Sequence, residues 1–380
     1  MNRYKRAVGI FLVNLAVLGV GIVIVELVFG TWFNPNNLNR LNLIKDMTFS
    51  YDVSGLYETA SPNIKYSRDR YGLRGVYGDD PSRINILTVG GSTTDQRYIS
   101  DGLTWQDVLQ SALASAGTPV MVANAGVDGQ STFGHIKDFD WWFPSVPHLK
   151  PRYVLFYIGL NDTYIDDDSE YDDLVHIVPN PLIAAIKENS AVYHLLRTIR
   201  GSFRATAVLK IGHTKVDFTK VQWTGEALQQ EYAFLSPRLD AFANRLRILV
   251  DKTRKLGSEP IFVTQASRHF KRVENEIRGR ADVMAFLFGR KINGVDYYHL
   301  IGRFNGVMAT VAREKQVVFV DLAADWKGED GDFYDWAHMT PKGARKVGLY
   351  LFENLRDMVS TGQTVAESAR KRAAPRHGSP

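Results

Sequence analysis

Apolar residues along this chain fall into two kinds of pattern. From Ala7 to Val25 runs a stretch of nineteen residues in which Asn14 is the only clearly polar side chain, and Leu27, Val28 and Phe29 extend it past Glu26. At about 1.5 Å per helical residue this run measures about 28 Å, close to the hydrocarbon thickness of a bilayer. Farther on, short β-rich runs of four to six residues recur: Ile84 to Val89, Val120 to Ala123, Tyr153 to Ile158, Ile261 to Thr264 and Val317 to Leu322. Between and after them lie stretches of helical periodicity at 104–116, 132–142, 226–256, 297–315 and 341–358. Strands alternating with helices predict an α/β fold with a parallel sheet covered by helices on both faces.

The intervals that break this rhythm divide the chain. Residues 1–33 read as a short N-terminal stub and a transmembrane helix, with 7–29 in the bilayer, and 34–80, rich in Asn, Asp, Gly and Tyr, as a connecting segment. The body spans 81–360, and its irregular stretch at about 162–225 reads as an insertion over one end of the sheet. Residues 361–380 are low in hydrophobics and read as a disordered basic tail.

Charge sharpens the picture of the ends. The net charge of +5 belongs wholly to them: Arg3, Lys5 and Arg6 precede the apolar run, while Arg370, Lys371, Arg372 and Arg376 crowd the tail. The balanced body offers no polyanion-binding surface, so nucleic acid is not an expected partner. Basic residues before the run and none after it until Arg40 keep the N-terminus in the cytoplasm and send the body outward. A cleaved signal peptide is the competing reading, but its apolar region should be shorter and end in an A-x-A-like site, which Glu26 to Trp32 does not supply. The absence of Cys excludes a disulfide scaffold and a zinc-finger array.

Ligand sites in such sheets form at the carboxyl ends of the strands. The loop after the first strand is Gly90-Gly91-Ser92-Thr93-Thr94, a tight turn that would expose Ser92 near a helix N-terminus. Taken alone such a run is more often simply a turn and a helix cap, or a phosphate nest, although no Lys follows as a P-loop requires. The next loops carry Asn124-Ala125-Gly126-Val127-Asp128-Gly129-Gln130-Ser131 and Gly159-Leu160-Asn161-Asp162, where Gly129 N–H and the Asn161 amide are donors or simply turn residues. In the final loop, Asp335 and His338 are one turn apart, a spacing that lets the carboxylate fix the imidazole tautomer. Thr340 and Pro341 then read as N-cap and first residue of the closing helix.

Other features have plainer readings. Asp296 and His299 share the Asp-x-x-His spacing, but Asp296 precedes a helical stretch and reads as its N-cap. The acidic run Asp166, Asp167, Asp168, Glu170, Asp172 and Asp173 reads as a solvated loop rather than a cation site. Trp141 and Trp142 read as packing residues before they read as a sugar platform.

Ser92, Gly129, Asn161 and Asp335 with His338, in this order, resemble the SGNH (GDSL-like) hydrolase family over about residues 84–358. The resemblance implies a three-layer, flavodoxin-like parallel sheet and serine esterase chemistry through an acyl-serine, with no cofactor and no metal. Ser92 is then the nucleophile, His338 the general base and Asp335 its orienting partner. Ser92 N–H, Gly129 N–H and the Asn161 side chain become the oxyanion donors. One departure stands out: the family usually reads Gly-Asp-Ser where this chain has Gly90-Gly91-Ser92. Tyr71-Gly72-Leu73-Arg74-Gly75, the Gly-Gly-Ser-Thr-Thr form and the anchor look like the membrane-tethered branch associated with bacterial exopolysaccharide and cell-envelope genes. That branch implies an inner-membrane protein facing the periplasm, with O-acetyl or other acyl esters of carbohydrate as substrates. An O-acyltransferase using the same groups, or a non-catalytic polysaccharide-binding protein retaining the fold, are the alternatives.

Overall fold

The computed structural model describes residues 2–33, 37–78, 80–165, 172–174, 181–196, 208–209, 212–274, 276–287 and 289–361. Its N-terminal helix α1 (Asn2–Phe29) leaves its apolar side chains exposed, and Glu26 in its last turn accepts from Ser190 Oγ of the body. Among the described residues it is the one helix long and apolar enough to cross a membrane.

Two antiparallel strands follow, β1 (Met47–Asp52) and β2 (Asn63–Arg68). The central sheet is built from β3 (Ile84–Gly90), β4 (Met121–Asn124), β5 (Tyr153–Tyr157), β8 (Glu259–Val263) and β13 (Val318–Val320). The order β4-β3-β5-β8-β13 is parallel throughout. In the sheet's own sequence this is 2-1-3-4-5, the flavodoxin-like winding, whose switch point lies between its first and third strands. Here that point is between β3 and β5, the strands that lead into Ser92 and Asn161.

Both faces of the sheet are buried, and the alternation of side chains sorts them into two cores. Leu87, Val89, Val154, Phe156 and Phe262 pack on one side with Phe242, Leu246, Phe304 and Met308. Ile86, Leu155, Tyr157, Ile261 and Val263 pack on the other with Trp105, Leu109, Val347 and Leu351. The first group of partners lies on helices α6 (Ser236–Lys255) and α7 (Gly294–Glu314), the second on α3 (Trp105–Ser115) and α9 (Pro341–Thr361). Further helices among the described residues include α2 (Ser92–Asp95), α4 (Thr132–Lys137), α5 (Pro181–Asn189) and α8 (Leu322–Asp325).

Several elements differ from the sequence pattern. The stretch expected as a helix over 226–256 is helical only from Ser236, after a short 3₁₀ turn at Ala233–Leu235. Asn293, not Asp296, is the N-cap of α7; Asp296 closes the capping box three residues in. Segment 34–80 is more than a connection: Tyr51, Val53, Leu56, Ile64 and Tyr66 form a third apolar cluster with Tyr98 and Tyr334. The irregular interval contributes β6 (Val208–Leu209), paired parallel to β1, and β7 (Trp223–Thr224). It also holds α5 and a helical stretch at 191–196. β7 joins the hairpin of β9 (Phe270–Val273) and β10 (Glu276–Arg280); β11 (Ala285–Leu287) and β12 (Arg290–Ile292) form a separate pair.

Within the acidic run, Asp172 is buried and accepts backbone N–H bonds from Ser131 and Gly134, so it pins the start of α4 rather than facing water. Asp166, Asp167, Asp168, Glu170 and the tail beyond 361 lie outside the described residues. Trp142 is buried and donates to the Tyr71 carbonyl at 2.7 Å, while Trp141 is exposed.

Candidate active site

Backbone at the end of β3 turns at once into α2. Thr94 and Asp95 N–H both donate to Gly91 O, and Gln96 N–H donates to Ser92 O. The turn leaves Ser92 half-buried at the sheet's carboxyl edge. Its Oγ lies 2.7 Å from His338 Nε2. His338 Nδ1 in turn lies 2.8 and 3.0 Å from the two Asp335 carboxylate oxygens. Asp335 Oδ1 also accepts the backbone N–H groups of Ala337 and His338 at 2.9 and 2.7 Å. Burial raises the Asp335 pKa, but its hydrogen bond and charge interaction with His338 and these two N–H donors outweigh that and hold it below the usual carboxylate value. The carboxylate is therefore ionised at neutral pH and fixes the proton of His338 on Nδ1, which leaves Nε2 as an acceptor for the serine hydroxyl.

The two donor loops converge on the same turn. Asn161 uses one of its amide hydrogens to hold Gln130 O at 2.7 Å, which ties the loop after β5 to the loop after β4. A side chain on Gly91 would meet Asn161 Nδ2 at 2.3 Å and Gln130 O at 3.1 Å, so this amide lies directly against the residue before Ser92. Gly129 precedes Gln130 and takes the left-handed backbone, φ +78°, that glycine adopts readily. The structure thus gathers all five residues singled out in the sequence at one edge of the sheet.

Further residues complete the surroundings. Gln265, after β8, donates to Thr93 Oγ1 at 2.6 Å and accepts Leu160 N–H at 2.7 Å, bridging the Ser92 and Asn161 loops. Arg68, from the segment preceding the sheet, is buried against Asp95 at 2.5 Å and donates to Gly72, Asn124 and Gly126 carbonyls. Arg74 donates to the carbonyls of Asp95, Gln96 and Ile99. These two arginines brace the turn that carries Ser92; Arg74 stands inside the Tyr71 to Gly75 motif, whereas Arg68 had no signal in the sequence. Arg97 pairs with Asp128 at 3.2 Å on the rim of the Ser92 cleft.

The irregular interval reaches this cleft through His213. Its Nδ1 bonds the Tyr334 hydroxyl at 2.9 Å and lies 3.7 Å from Asp335 Oδ2. The His338 ring is flanked by His213, with centroids 4.4 Å apart, and by Tyr334, stacked nearly parallel to it at 5.7 Å. Burial, then the neighbouring His338, depresses the His213 pKa against the pull of Asp335, so His213 is neutral at pH 7. No local pattern marks it. His213, Asp335 and His338 are also the one His and acid cluster among the described residues compact enough for a metal, but Asp335 and His338 are already committed to each other.

The Asp296 and His299 pair is elsewhere and differently employed. Asp296 accepts N–H bonds from Leu228, Gln229 and Asn293 and the Tyr232 hydroxyl, while His299 is exposed.

The sequence pattern of the GDSL-like lipase/acylhydrolase family matches residues 88–346, more than half of the chain. Among solved structures, that of TesA is 14% identical with a TM-score of 0.40, over 72% of this chain and 98% of that one. The acetyl xylan esterase AlAXEase is 14% identical with a TM-score of 0.40, over 72% and 100%. An aryl esterase from M. smegmatis is 14% identical with a TM-score of 0.40, over 72% and 99%. No curated protein matches this chain. The family match, spanning every strand-end loop from Ser92 to His338, makes this chain a member of the GDSL-like lipase/acylhydrolase family, the serine ester hydrolases of SGNH type.

Proposed function

We propose that this chain is a membrane-tethered esterase that removes acyl groups, O-acetyl foremost, from cell-envelope carbohydrate outside the cytoplasm. The observation that carries the chemistry is the relay of Ser92 Oγ, His338 and Asp335 at 2.7 and 2.8 Å. Ser92 Oγ attacks the ester carbonyl carbon as its proton passes to His338 Nε2, and the carbonyl π electrons move onto oxygen. That oxyanion is held by the N–H groups of Ser92 and Gly129 and the second amide hydrogen of Asn161. Collapse expels the sugar oxygen, which takes the proton from Nε2. Water then attacks the acyl-serine with Nε2 as base, releasing the acid and restoring Ser92.

The carbohydrate assignment is supported by the tethered-branch motifs at 71–75 and 90–94, and by Arg97 and Asp128, polar groups on the rim of the Ser92 cleft that could bond sugar hydroxyls. The outward orientation is supported by Arg3, Lys5 and Arg6 ahead of the apolar run. Transfer of the acyl group to a sugar hydroxyl differs only in the second acceptor, and the approach of His213 from the insertion favours keeping that reading.

The deciding experiment measures the full chain in detergent with a fluorophosphonate probe and a p-nitrophenyl acetate assay. Wild type is expected to label and turn over. Ser92→Ala should lose labelling, and Ser92→Ala and His338→Ala should each reduce turnover by a factor on the order of thousands. A folded wild-type protein inert in both assays would leave the binding-protein reading. Acetate released from acetylated polysaccharide, compared with acetyl passed to added oligosaccharide, separates hydrolysis from transfer. A reporter active only outside the cytoplasm, fused after Ser360, tests the orientation.

A further inference from the structure

Residues 181–196 wear their polarity inside out. Helix α5 exposes Leu182, Ile183 and Ile186, one face of the helix, at 67, 46 and 40% of their surface. The helical stretch at 191–196 exposes Leu195 and Leu196 at 55 and 60%. Ser190, the polar residue between the two, is buried instead. Large aliphatic side chains grouped on an outer surface mark a contact with something apolar.

The polar groups of this segment turn toward the anchor helix. Glu26, the one acidic residue of α1, accepts from Ser190 Oγ at 2.6 Å and from the backbone N–H groups of Ala191 and Val192 at 3.0 and 3.2 Å. Trp32 Nε1 donates to the same carboxylate at 2.8 Å. Thr31 N–H donates to Asn189 O at 2.9 Å, and Asn39 Nδ2 to Glu188 O at 3.0 Å. The helical pair is thus fastened to the last turn of α1, the level at which an apolar helix leaves the hydrocarbon. An acidic residue inside the apolar run has its reason here.

We infer that α5 and the 191–196 helix lie in the outer lipid interface beside the anchor, with Leu182, Ile183, Ile186, Leu195 and Leu196 as their lipid-facing side chains. The occupant of this apolar surface is the bilayer itself, because the segment that carries it is held by Glu26 and Thr31 to the end of α1, whose own apolar side chains are exposed. An interfacial helix needs an apolar face at the depth of the acyl chains and polar contacts above it, which is the arrangement here. The enzyme then has two membrane contacts, a span and a helical foot. The foot holds the body against the membrane surface instead of letting it swing on one helix. This inference rests on α1 being a membrane span.

The chain has no Cys, so single cysteines can be placed in the full-length protein without background. Val13→Cys reports the anchor, Ile186→Cys and Leu195→Cys the foot, and Val76→Cys, exposed on the body, the aqueous phase. Each is labelled with an environment-sensitive fluorophore and reconstituted into phosphatidylcholine and phosphatidylglycerol vesicles with or without lipids brominated near the headgroup end of the acyl chain. Ester turnover by each variant reports that it is folded. The expected result is lipid quenching at 186 and 195 at least twofold above that at 76, with protection from aqueous iodide. Iodide quenching at 186 and 195 equal to that at 76, while 13 is quenched by lipid, overturns the foot and leaves the anchor. Shielding of 186 and 195 from both quenchers points to a covering protein and also overturns it. A Val13 site quenched by iodide and not by lipid overturns the anchor, and the foot with it.

Discussion

The imidazole of His213 lies 4.4 Å from that of His338, and both rings approach Asp335 Oδ2, at 3.7 and 2.8 Å. Only His338 makes the short contact. His213, kept neutral by burial and by the neighbouring His338, serves as a side wall, tilted 42° to the His338 ring, that limits the movement of that ring. His213→Ala should lower kcat on a small soluble ester by about ten- to a hundredfold through misplacement of His338. His213→Phe, which keeps a ring, should recover most of it. Unchanged kcat in His213→Ala, measured apart from KM, would show that His338 needs no such wall.

Gly91 stands where the family's first motif usually has Asp, and in this chain the Asn161 amide fills the space beside it. A Cβ at this position would sit 2.3 Å from Asn161 Nδ2. Restoring Asp, or inserting Ala, should therefore impair this enzyme. Gly91→Ala is expected to destabilise the fold by about 1–3 kcal/mol through overpacking and to slow turnover by displacing Asn161. Asn161→Ala, which removes the donor outright, should cost about 2.7–4 kcal/mol in the chemical step. Steady-state kinetics beside thermal melts check both, and a fully active Gly91→Asp variant would contradict the packing argument.

Arg68 and Asp95 are buried together, 4 and 1% exposed, and Asp95 also accepts the Tyr66 hydroxyl at 2.7 Å. Removing Asp95 strands the Arg68 charge, and removing Arg68 leaves Asp95 only the longer pair with Arg97 at 3.5 Å. Arg68→Met should cost about 3–5 kcal/mol of stability, seen in urea unfolding. Arg68→Met combined with Asp95→Leu should cost much less than the two single changes added together. Additive losses would mean that the two groups act separately.

His269 is buried beside Trp336, and burial, aided by the charge of Arg280, lowers its pKa to about 3. Between the unfolded value near 6.5 and this folded value, the unfolded chain binds a proton that the native chain refuses. Stability contributed by the neutral ring is therefore present above about pH 6.5 and is lost as pH falls, at about 1.4 kcal/mol per unit. Going from pH 7 to pH 5 should cost wild type about 2 kcal/mol more than it costs His269→Gln. Denaturant curves at the two pH values test this, and equal losses would refute it.

What the sequence determined by itself was whatever depends on neighbours along the chain. All five strands of the central sheet stand within two residues of the apolar runs that predict them, because alternation and run length are local properties. The Asp335 to His338 contact follows from a three-residue spacing that one turn closes. A helix long and apolar enough to cross a bilayer is legible because spanning length is a count. The tertiary structure alone decided the rest, because those contacts join segments with no shared period. It set Asn161 against Gly91, brought Arg68 under the Ser92 turn from a stretch that reads as a connection, and carried His213 to His338 across more than a hundred residues. It also buried Asp172 while exposing Leu195, an inversion no pattern of polarity predicts. A buried carboxylate is tolerated where backbone N–H groups converge on it, and that convergence exists only once the chain has folded.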